Sequence, residues 1–380
     1  METILLLIVI YFILQLINYF TKKYAHTNLS YSRYLSRYAC FPGDKFVLTV
    51  QMTNKKLLPL PFVEVVEKIP EDFQYETPSK MEHTQGYSYH HNTMMFLPYQ
   101  KITRRYTIMC SIRGRYYFDS ITVSVGDYLG LKTYSKECES PVEFLVYPPI
   151  APLSSLIIDC RNPMGDVSVK RWIIDDPSII MGIREYTQND SFNRIHWASS
   201  AKTGQLMVKN FDFTSDRKVV VLLNIETSKP FWVKIDGNKI EAAVNIAAAL
   251  SSELLNSGIG AGMYTNGALG GFFSGEGNYI PPSCGDVHLQ VILKLLARIT
   301  YSIQQPFEEA LSGIIQSLRT DCRYIIITPI ITNEMAELIG IMDGKTGVTV
   351  ISLSTMNMDM LPKSVSLFTV KEGGIELEAV

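Results

Sequence analysis

The chain carries one dense run of specific residues, 182-GIREYTQNDSFNRIHWASSAKTGQLMVK-209. Asp190 stands where a helix N-cap belongs, because its carboxylate can accept hydrogen bonds from the free N–H groups of a first turn. Gly204 follows Lys202, a pairing typical of a helix C-terminus. The stretch therefore predicts a capped helix of about three turns between two extended segments.

Charged residues alternate along this stretch more densely than a plain packing helix requires. They are Arg184, Glu185, Asp190, Arg194, His196 and Lys202. Two interpretations stay open: structural ion pairs that pin the helix onto the next domain, or a surface that binds a partner. Under the first, our hypothesis is a rigid inter-domain brace made of Arg184, Asp190, Arg194 and Trp197. Full burial of the indole there would make Trp197→Ala cost roughly 3–5 kcal/mol.

The same stretch resembles the family called domain of unknown function 58. The resemblance is carried by Gly182, Arg184, Tyr186, Asp190, Arg194, Ile195, Trp197, Ser200, Ala201, Gly204 and Leu206. Two positions depart from the family pattern. Asn189 replaces a Gly and still tolerates a left-handed backbone, whereas Lys202 replaces an Arg and loses its bidentate fork. The motifs Arg113-Gly114-Arg115-Tyr116 and Asp127-Tyr128-Leu129-Gly130-Leu131 match the pattern that precedes this signature in the family.

The resemblance implies a fold and a set of partners. In the family a von Willebrand factor A-like domain follows the signature. The expected partners are a MoxR-type AAA+ ATPase and a transglutaminase-like membrane protein.

Composition excludes some classes of function. A net charge of −2 gives no general attraction to nucleic acid. The six cysteines, Cys40, Cys110, Cys138, Cys160, Cys284 and Cys322, are scattered without a CxxC pair. This spacing indicates reduced thiols in a cytosolic environment.

The N-terminus reads as a membrane anchor, residues 1–24. Residues 4–20 are apolar except for Gln15 and Asn18, and a helix of this length spans about 26 Å. Lys22 and Lys23 follow directly, so the positive-inside rule predicts a single-pass protein of the cell membrane with its C-terminal bulk in the cytoplasm. The alternative is a buried core helix.

Residues 27–150 alternate short apolar strands with turns, which predicts an immunoglobulin-like β-sandwich. His83, His90 and His91 fall among Tyr, Thr and Asn residues. We expect them in an exposed, mobile loop, since no Cys or carboxylate cluster completes a metal site there.

Residues 151–215 form a signature linker, and residues 216–380 alternate strands with helices, as in a parallel α/β sheet. Here the apolar run Val219–Leu223 predicts a buried strand, a helical stripe starts at Ile240 and ends at Gly258, and residues 287–303 read as one helix. The predicted fold class is therefore α+β multidomain: a transmembrane helix, an immunoglobulin-like sandwich, and a von Willebrand factor A-like (Rossmann-like) domain. Such domains often bind Mg²⁺ through D-x-S-x-S, but the matching residues here are Asn224, Glu226 and Ser228. A neutral amide and a displaced carboxylate make a poor site, so no cofactor is expected.

No catalytic constellation stands out. Ser199, Ser200 and His196 are close in sequence, but the nucleophile elbow G-x-S-x-G is missing. The sequence therefore favours a membrane-anchored, non-enzymatic interaction protein that works with the MoxR-type ATPase in cell-envelope or complex-assembly processes. The alternative is a metal-dependent or serine hydrolase-like enzyme with a site at the domain junction.

Overall fold

The chain folds into two compact units. A computed structural model describes residues 10–13, 15–16, 19–20, 22–76, 81–84, 86–128, 132–151, 180–186, 195–211, 218–270, 277–354, 356–370 and 377–379. Unit 1 comprises residues 1–151, 267–278 and 290–304, and unit 2 comprises residues 152–266, 279–289 and 305–380. Two short segments from the second half of the chain therefore belong to the first unit.

Unit 1 is built mainly of antiparallel strands, numbered along the chain. They are β1 (Leu29–Leu35), β2 (Ala39–Cys40), β3 (Lys45–Asn54), β4 (Leu60–Pro70), β5 (Phe73–Tyr75), β6 (Met81–Thr84), β7 (Tyr87–Phe96), β8 (Lys101–Cys110), β9 (Gly114–Phe118), β10 (Ile121–Gly126), β11 (Thr133–Cys138) and β12 (Val142–Val146). They pair in the orders β1-β3-β8-β5, β11-β10-β4-β7-β6 and β2-β12-β9.

Alternation of buried and partly exposed residues decides which face of each strand turns inward. In β3, Phe46, Leu48, Val50 and Met52 are buried and the residues between them are not. Side chains two apart in a strand share one face, so this face supplies the apolar interior of the unit. The strands β3 and β4, from different sheets, both contribute to the two apolar clusters. This arrangement is compatible with a β-sandwich.

Arg113, in the motif Arg113-Gly114-Arg115-Tyr116, binds the segment of unit 1 that comes from residues 290–304. Arg113 is buried, and its Nη1 donates to the carbonyl oxygens of Leu296 at 2.5 Å and Ile299 at 3.2 Å. The carboxylate of Glu143 contacts both Arg115 and Arg298. Beside them, β17 (Gly267–Leu269) pairs with β19 (Ile299–Ile303) in an antiparallel ribbon.

Unit 2 contains a seven-stranded sheet in the order β18-β16-β15-β20-β21-β22-β23. Its strands are β15 (Lys218–Leu223), β16 (Gly260–Thr265), β18 (Tyr279–Ser283), β20 (Cys322–Thr328), β21 (Val348–Ser352), β22 (Ser366–Val370) and β23 (Leu377–Ala379). The five inner strands are parallel, and β18 and β23 are antiparallel edges. Strand β15 is buried continuously from Val219 to Leu223, as expected where both faces of a parallel strand are covered.

Helices accompany this sheet, and a separate ribbon precedes it. The helices are α1 (Trp197–Thr203), α2 (Gly237–Asn256), α3 (Asp286–Arg298), α4 (Phe307–Gln316) and α5 (Asn333–Asp343), followed by a 3-10 turn at Met358–Met360. Helix α3 begins in unit 2 and ends in unit 1. The ribbon consists of β13 (Ile180–Glu185) and β14 (Met207–Phe211). Side chains start two of the helices, Asp236 capping α2 and Thr332 capping α5.

The expected fold class is wrong in its first element. Among the described residues, no helix has the length and apolar character needed to cross a bilayer, which contradicts the predicted transmembrane helix. Much of the predicted segment, residues 1–9, 14, 17, 18 and 21, lies outside the described residues. The described chain is also richer in strand than in helix.

The predicted histidine loop is also wrong. His90 and His91 lie in strand β7, and His90 is fully buried. Its Nδ1 is 3.2 Å from Oε2 of Glu67, a carboxylate with no solvent exposure. His91 Nδ1 lies 3.1 Å from Glu64. His83 belongs to β6 by its backbone, and its side chain lies outside the described residues. The polar side chains are thus paired across the sheet.

Candidate functional site

The signature stretch forms a small ribbon with one short helix between its strands. Strands β13 and β14 run antiparallel, and α1 sits in the connection. Ile195 pairs as an isolated bridge with Val208, and both side chains are buried. In contrast, α1 has no buried residue. The buried Ile195–Val208 pair therefore anchors the connection to the ribbon, while every residue of α1 keeps some exposure to solvent.

The helix starts later than the sequence predicts. His196 is its N-cap: Nδ1 accepts from the backbone N–H of Ser199 at 3.2 Å and lies 2.8 Å from the Ser199 hydroxyl. Ile195 is already extended, so the predicted helix of about three turns is wrong and shrinks to seven residues. Asp190, the predicted cap, lies outside the described residues.

The helix ends as predicted. Gly204 is left-handed at φ 71°, and its N–H donates to the carbonyl oxygen of Ser200 at 3.0 Å. A glycine at this position adopts the left-handed conformation without steric cost.

Ser200 ties the helix to the strand that follows it. Its hydroxyl donates to the carbonyl oxygen of His196 at 3.1 Å and accepts from the N–H of Met207 at 2.8 Å. The backbone N–H of His196 also donates to Met207 O at 2.8 Å. Because these contacts engage the hydroxyl in both directions, Ser200 acts as a structural clamp. The side chain of His196 meets Ser199 instead.

The ribbon exposes an apolar surface. Trp197 is 68% exposed, and Ile183 and Leu206 are 41% exposed each. Trp197 therefore does not form the buried inter-domain brace of our hypothesis. The predicted loss of roughly 3–5 kcal/mol on Trp197→Ala required full burial of the indole, and the indole is exposed. Lys202 is exposed and Tyr186 is half-buried. Gly182 and Arg184 lie in β13, but the side chain of Arg184, like all of Arg194, is outside the described residues.

A second polar cluster lies at the carboxyl end of β15, where ligand sites of open α/β sheets usually form. Asn224 is fully buried, and its Oδ1 accepts from the N–H of Glu226 at 2.9 Å and from Asn266 Nδ2 at 3.0 Å. Its Nδ2 donates to the hydroxyl of Thr328 at 3.0 Å. Side chains at the ends of β15, β16 and β20 are thereby locked together.

Glu226 is held by an ammonium group. Lys229 Nζ lies 2.6 Å from Glu226 Oε2 and 2.6 Å from Glu308 Oε2. Burial disfavours the charge of Lys229, but hydrogen bonds to both carboxylates outweigh it and raise its pKa. Burial likewise acts to raise the pKa of Glu308, and the hydrogen bond from Lys229 reverses this and lowers it. The contacts thus favour the charged forms of Lys229 and Glu308.

The residues that match the magnesium motif do not fit a metal ion. The amide oxygen of Asn224 already accepts two hydrogen bonds, which fills its two lone pairs. The hydroxyl of Ser228 donates to the carbonyl oxygens of Pro230 and Lys234, at 3.0 and 2.8 Å. Within the described part of the chain, no group of three or more His, Cys, Asp or Glu side chains converges.

The same hydrogen bonds shape a second exposed apolar surface, an edge loop at residues 230–235. Trp232 is 70% exposed, with Val233 at 68% and Ile235 at 52%. Ser228 and Thr227 both bond Lys234 O, so the loop is closed at its base. Sequence reasoning missed this surface, and it missed Lys229 and Glu308 as partners.

These features define a class of two-unit protein. Its second unit contains the exposed ribbon that carries the signature residues and a mainly parallel α/β sheet. At the carboxyl ends of the sheet strands, the polar side chains bond to one another. The chain belongs to the family described as Protein of unknown function DUF58, which it matches over residues 182–373. The family expected from the signature is confirmed.

Individual relatives add little about activity. The chain is 24% identical over 320 residues to "Uncharacterized protein YeaD" of Bacillus subtilis (strain 168), covering 83% of this chain and 74% of that protein. Among solved structures, one described as "AvmM Catalyzes Macrocyclization in Alchivemycin A Biosynthesis" is 11% identical, with a TM-score of 0.24 over 33% of this chain and 92% of its own. A non-cellulosomal cohesin from the archaeon Archaeoglobus fulgidus is 8% identical, with a TM-score of 0.22 over 31% of this chain and 91% of its own. TM-scores this low support no inference.

Proposed function

We propose that this chain is a non-enzymatic interaction protein that docks a MoxR-type AAA+ ATPase at a membrane surface through its signature ribbon. The partner class comes from the family resemblance of the signature. The observation that carries the docking surface is the exposed indole of Trp197 on a helix with no buried residue.

An exposed tryptophan on a fixed support suits protein binding. Indoles are enriched among the few residues that dominate interface energy, and they bind best when little ordering is required. The His196 cap, the left-handed Gly204 and the Ser200 clamp hold α1 before any partner arrives. Ile183 and Leu206 extend the apolar surface of the ribbon.

The membrane part of the proposal rests on the N-terminal helical residues. Between residues 10 and 24 the described apolar side chains are exposed, including Tyr11, Phe12, Leu16 and Tyr19. Such a set gains free energy when it leaves water. Association with lipid would place unit 1 beside the membrane, with a transglutaminase-like membrane protein as a second expected partner. Liposome flotation of the full chain checks it: Tyr11→Asp with Leu16→Asp should leave the protein in the unfloated fraction.

Site-specific crosslinking tests the docking surface. A photo-crosslinking amino acid is placed at Trp197 or at Trp232, an equally exposed tryptophan in the edge loop of the same unit. Membranes are irradiated with the ATPase trapped by a non-hydrolysable nucleotide, and crosslinked AAA+ peptides are identified by mass spectrometry. We expect the ATPase from position 197 and not from 232. The reverse result moves the docking surface to the edge loop, and no ATPase from either position refutes the partner.

One observation favours the enzymatic alternative. The Ser199 hydroxyl lies 2.8 Å from His196 Nδ1, within the reach of a nucleophile and its base. Capping explains the same contact, since Nδ1 also accepts from the Ser199 N–H. Hydrolysis of activated esters by the purified chain decides between them: turnover that Ser199→Ala abolishes would establish a hydrolase.

A further inference from the structure

Two carboxylates at the carboxyl edge of the sheet are each anchored through one oxygen. Glu226 Oε1 accepts from the N–H of Phe307 at 3.0 Å, and Glu308 Oε1 accepts from the hydroxyl of Thr332 at 2.9 Å. Their other oxygens, both Oε2, point at a common position, each 2.6 Å from Lys229 Nζ. The Phe307 N–H and the Thr332 hydroxyl thus fix the two carboxylates, and the remaining oxygen of each carboxylate contacts the Lys229 ammonium.

These two glutamates come from distant parts of the sequence. Glu226 follows β15, whereas Glu308 is in the first turn of α4, 82 positions later. Only Glu226 belongs to the residues that match the magnesium motif, and Asn224 is committed to the buried amide network. The cation position of this edge is therefore defined by a different set of oxygens from the one that the motif suggests.

We propose that the Lys229 ammonium is a tethered cation that fills a divalent-ion position between Glu226 and Glu308, so that the native chain holds its edge loop without a metal. Lys229 precedes the edge loop directly, and its side chain ties the base of that loop to the N-terminus of α4.

The position suits a hard divalent ion once the ammonium is removed. Mg²⁺ and Mn²⁺ sites commonly use one or two carboxylates and complete their shell with water. The Lys229 side chain is 38% exposed, whereas Glu226 is fully buried, so removal of the lysine would open a partly solvated position beside a buried carboxylate. Without a cation, a buried carboxylate is left uncompensated, which favours recruitment of an ion from solution.

Manganese binding to the full-length chain tests the proposal. Free Mn²⁺ is followed by electron paramagnetic resonance during titration of four proteins: wild type, Lys229→Ala, Lys229→Ala with Glu226→Gln, and Lys234→Ala. Lys234 is the matched control, since it is an exposed lysine of the same loop. We expect Lys229→Ala to bind about one ion per chain, at least tenfold more tightly than the other three, with a Kd on the order of 1 mM or below.

Two outcomes overturn the proposal. One is wild-type binding as tight as that of Lys229→Ala, which would mean that the ammonium does not occupy the ion position. The other is a folded Lys229→Ala variant that gains no Mn²⁺ affinity. If this variant unfolds in metal-free buffer, it is refolded in millimolar MnCl₂. Recovery of the native near-ultraviolet circular dichroism, absent in the double variant, supports the proposal, and failure to recover refutes it.

Discussion

Two lysines, one in each unit, have different polar partners for their ammonium groups. In unit 1, Lys56 Nζ donates to the carbonyl oxygens of Tyr24, Ala25 and Thr27 at 2.5, 2.6 and 3.1 Å. In unit 2, Lys229 Nζ faces the two carboxylates of Glu226 and Glu308. Burial lowers the pKa of Lys56 to about 8, whereas the carboxylates raise that of Lys229.

The difference shows what each kind of partner supplies. Three carbonyl dipoles satisfy the three N–H donors of an ammonium, but they carry no net charge to compensate its desolvation. Carboxylates satisfy the donors and compensate the charge as well. Lys56 therefore holds the end of the N-terminal helical segment although burial lowers its pKa, whereas Lys229 and Glu308 each favour the charged form of the other.

The largest expected effect is the loss of stability on removing the Lys229 ammonium, compared with the loss on removing the Lys56 ammonium. Lys229→Met leaves the buried Glu226 without its counter-charge and should lower the free energy of unfolding by about 1–3 kcal/mol. Lys56→Met leaves only uncharged carbonyls behind and should cost less than about 1 kcal/mol. Urea denaturation measures both, with Lys234→Met as an exposed control expected within about 0.5 kcal/mol of wild type. Equal losses at Lys56 and Lys229 would contradict the contrast.

The two lysines should also make stability depend on pH in different ways between pH 8 and pH 10. The folded-state pKa of Lys56, about 8, lies below its ordinary value of 10.5, so between these limits the unfolded chain binds more protons and stability rises with pH. The pKa of Lys229 is raised above 10.5, so its contribution is complete below that value and is lost as pH climbs through the raised pKa. Urea midpoints at pH 8 and pH 10 measure the slope.

A matched pair of variants isolates the slope that Lys56 contributes, with Lys229 as the flat reference. The difference between wild type and Lys56→Met should grow in favour of wild type from pH 8 to pH 10, since the variant lacks the titrating group. The difference between wild type and Lys229→Met should stay constant over the same range. A wild-type advantage over Lys56→Met that shrinks with pH would show that the carbonyls stabilise the ammonium more than burial destabilises it.

Sequence reasoning succeeded where the signal is local. The continuous apolar run Val219–Leu223 predicts a buried parallel strand, and β15 is one. The helical stripe that starts at Ile240 and the glycine at 258 predict α2 and its end, where Gly258 is left-handed at φ 75°. The alternation in β3 is equally readable. In each case the deciding contacts lie within a few residues, so the pattern itself carries the information.

It failed where distant residues meet. Residues 287–303 read as one helix, but α3 ends at Arg298 because Ile299–Ile303 pairs with Gly267–Leu269. His90 reads as a loop residue because Glu67, its buried partner, is 23 positions away. For the candidate site, sequence predicted the Gly204 end of α1 but not its His196 start. Lys229 and Glu308 are 79 positions apart, and no spacing rule connects them.

The smallest effect on stability is expected at the exposed tryptophan of the signature. Trp197→Ala removes an indole that is 68% exposed on a helix with no buried residue, and surface changes of this kind usually stay within about 0.5 kcal/mol. Ser200→Ala is the control, because it breaks the clamp to Met207 N and should cost about 1 kcal/mol. Urea denaturation and recovery of the ATPase by co-purification are measured on both variants.

The two variants should then separate folding from docking. Trp197→Ala should keep the wild-type urea midpoint and lose most of the captured ATPase, while Ser200→Ala should lower the midpoint and lose less of the capture than Trp197→Ala, since its indole is intact. A large drop in the midpoint for Trp197→Ala would instead mean that the indole is buried in solution, as the inter-domain brace required. Unchanged stability with unchanged capture would leave Trp197 without a role in docking and direct attention to the edge loop around Trp232.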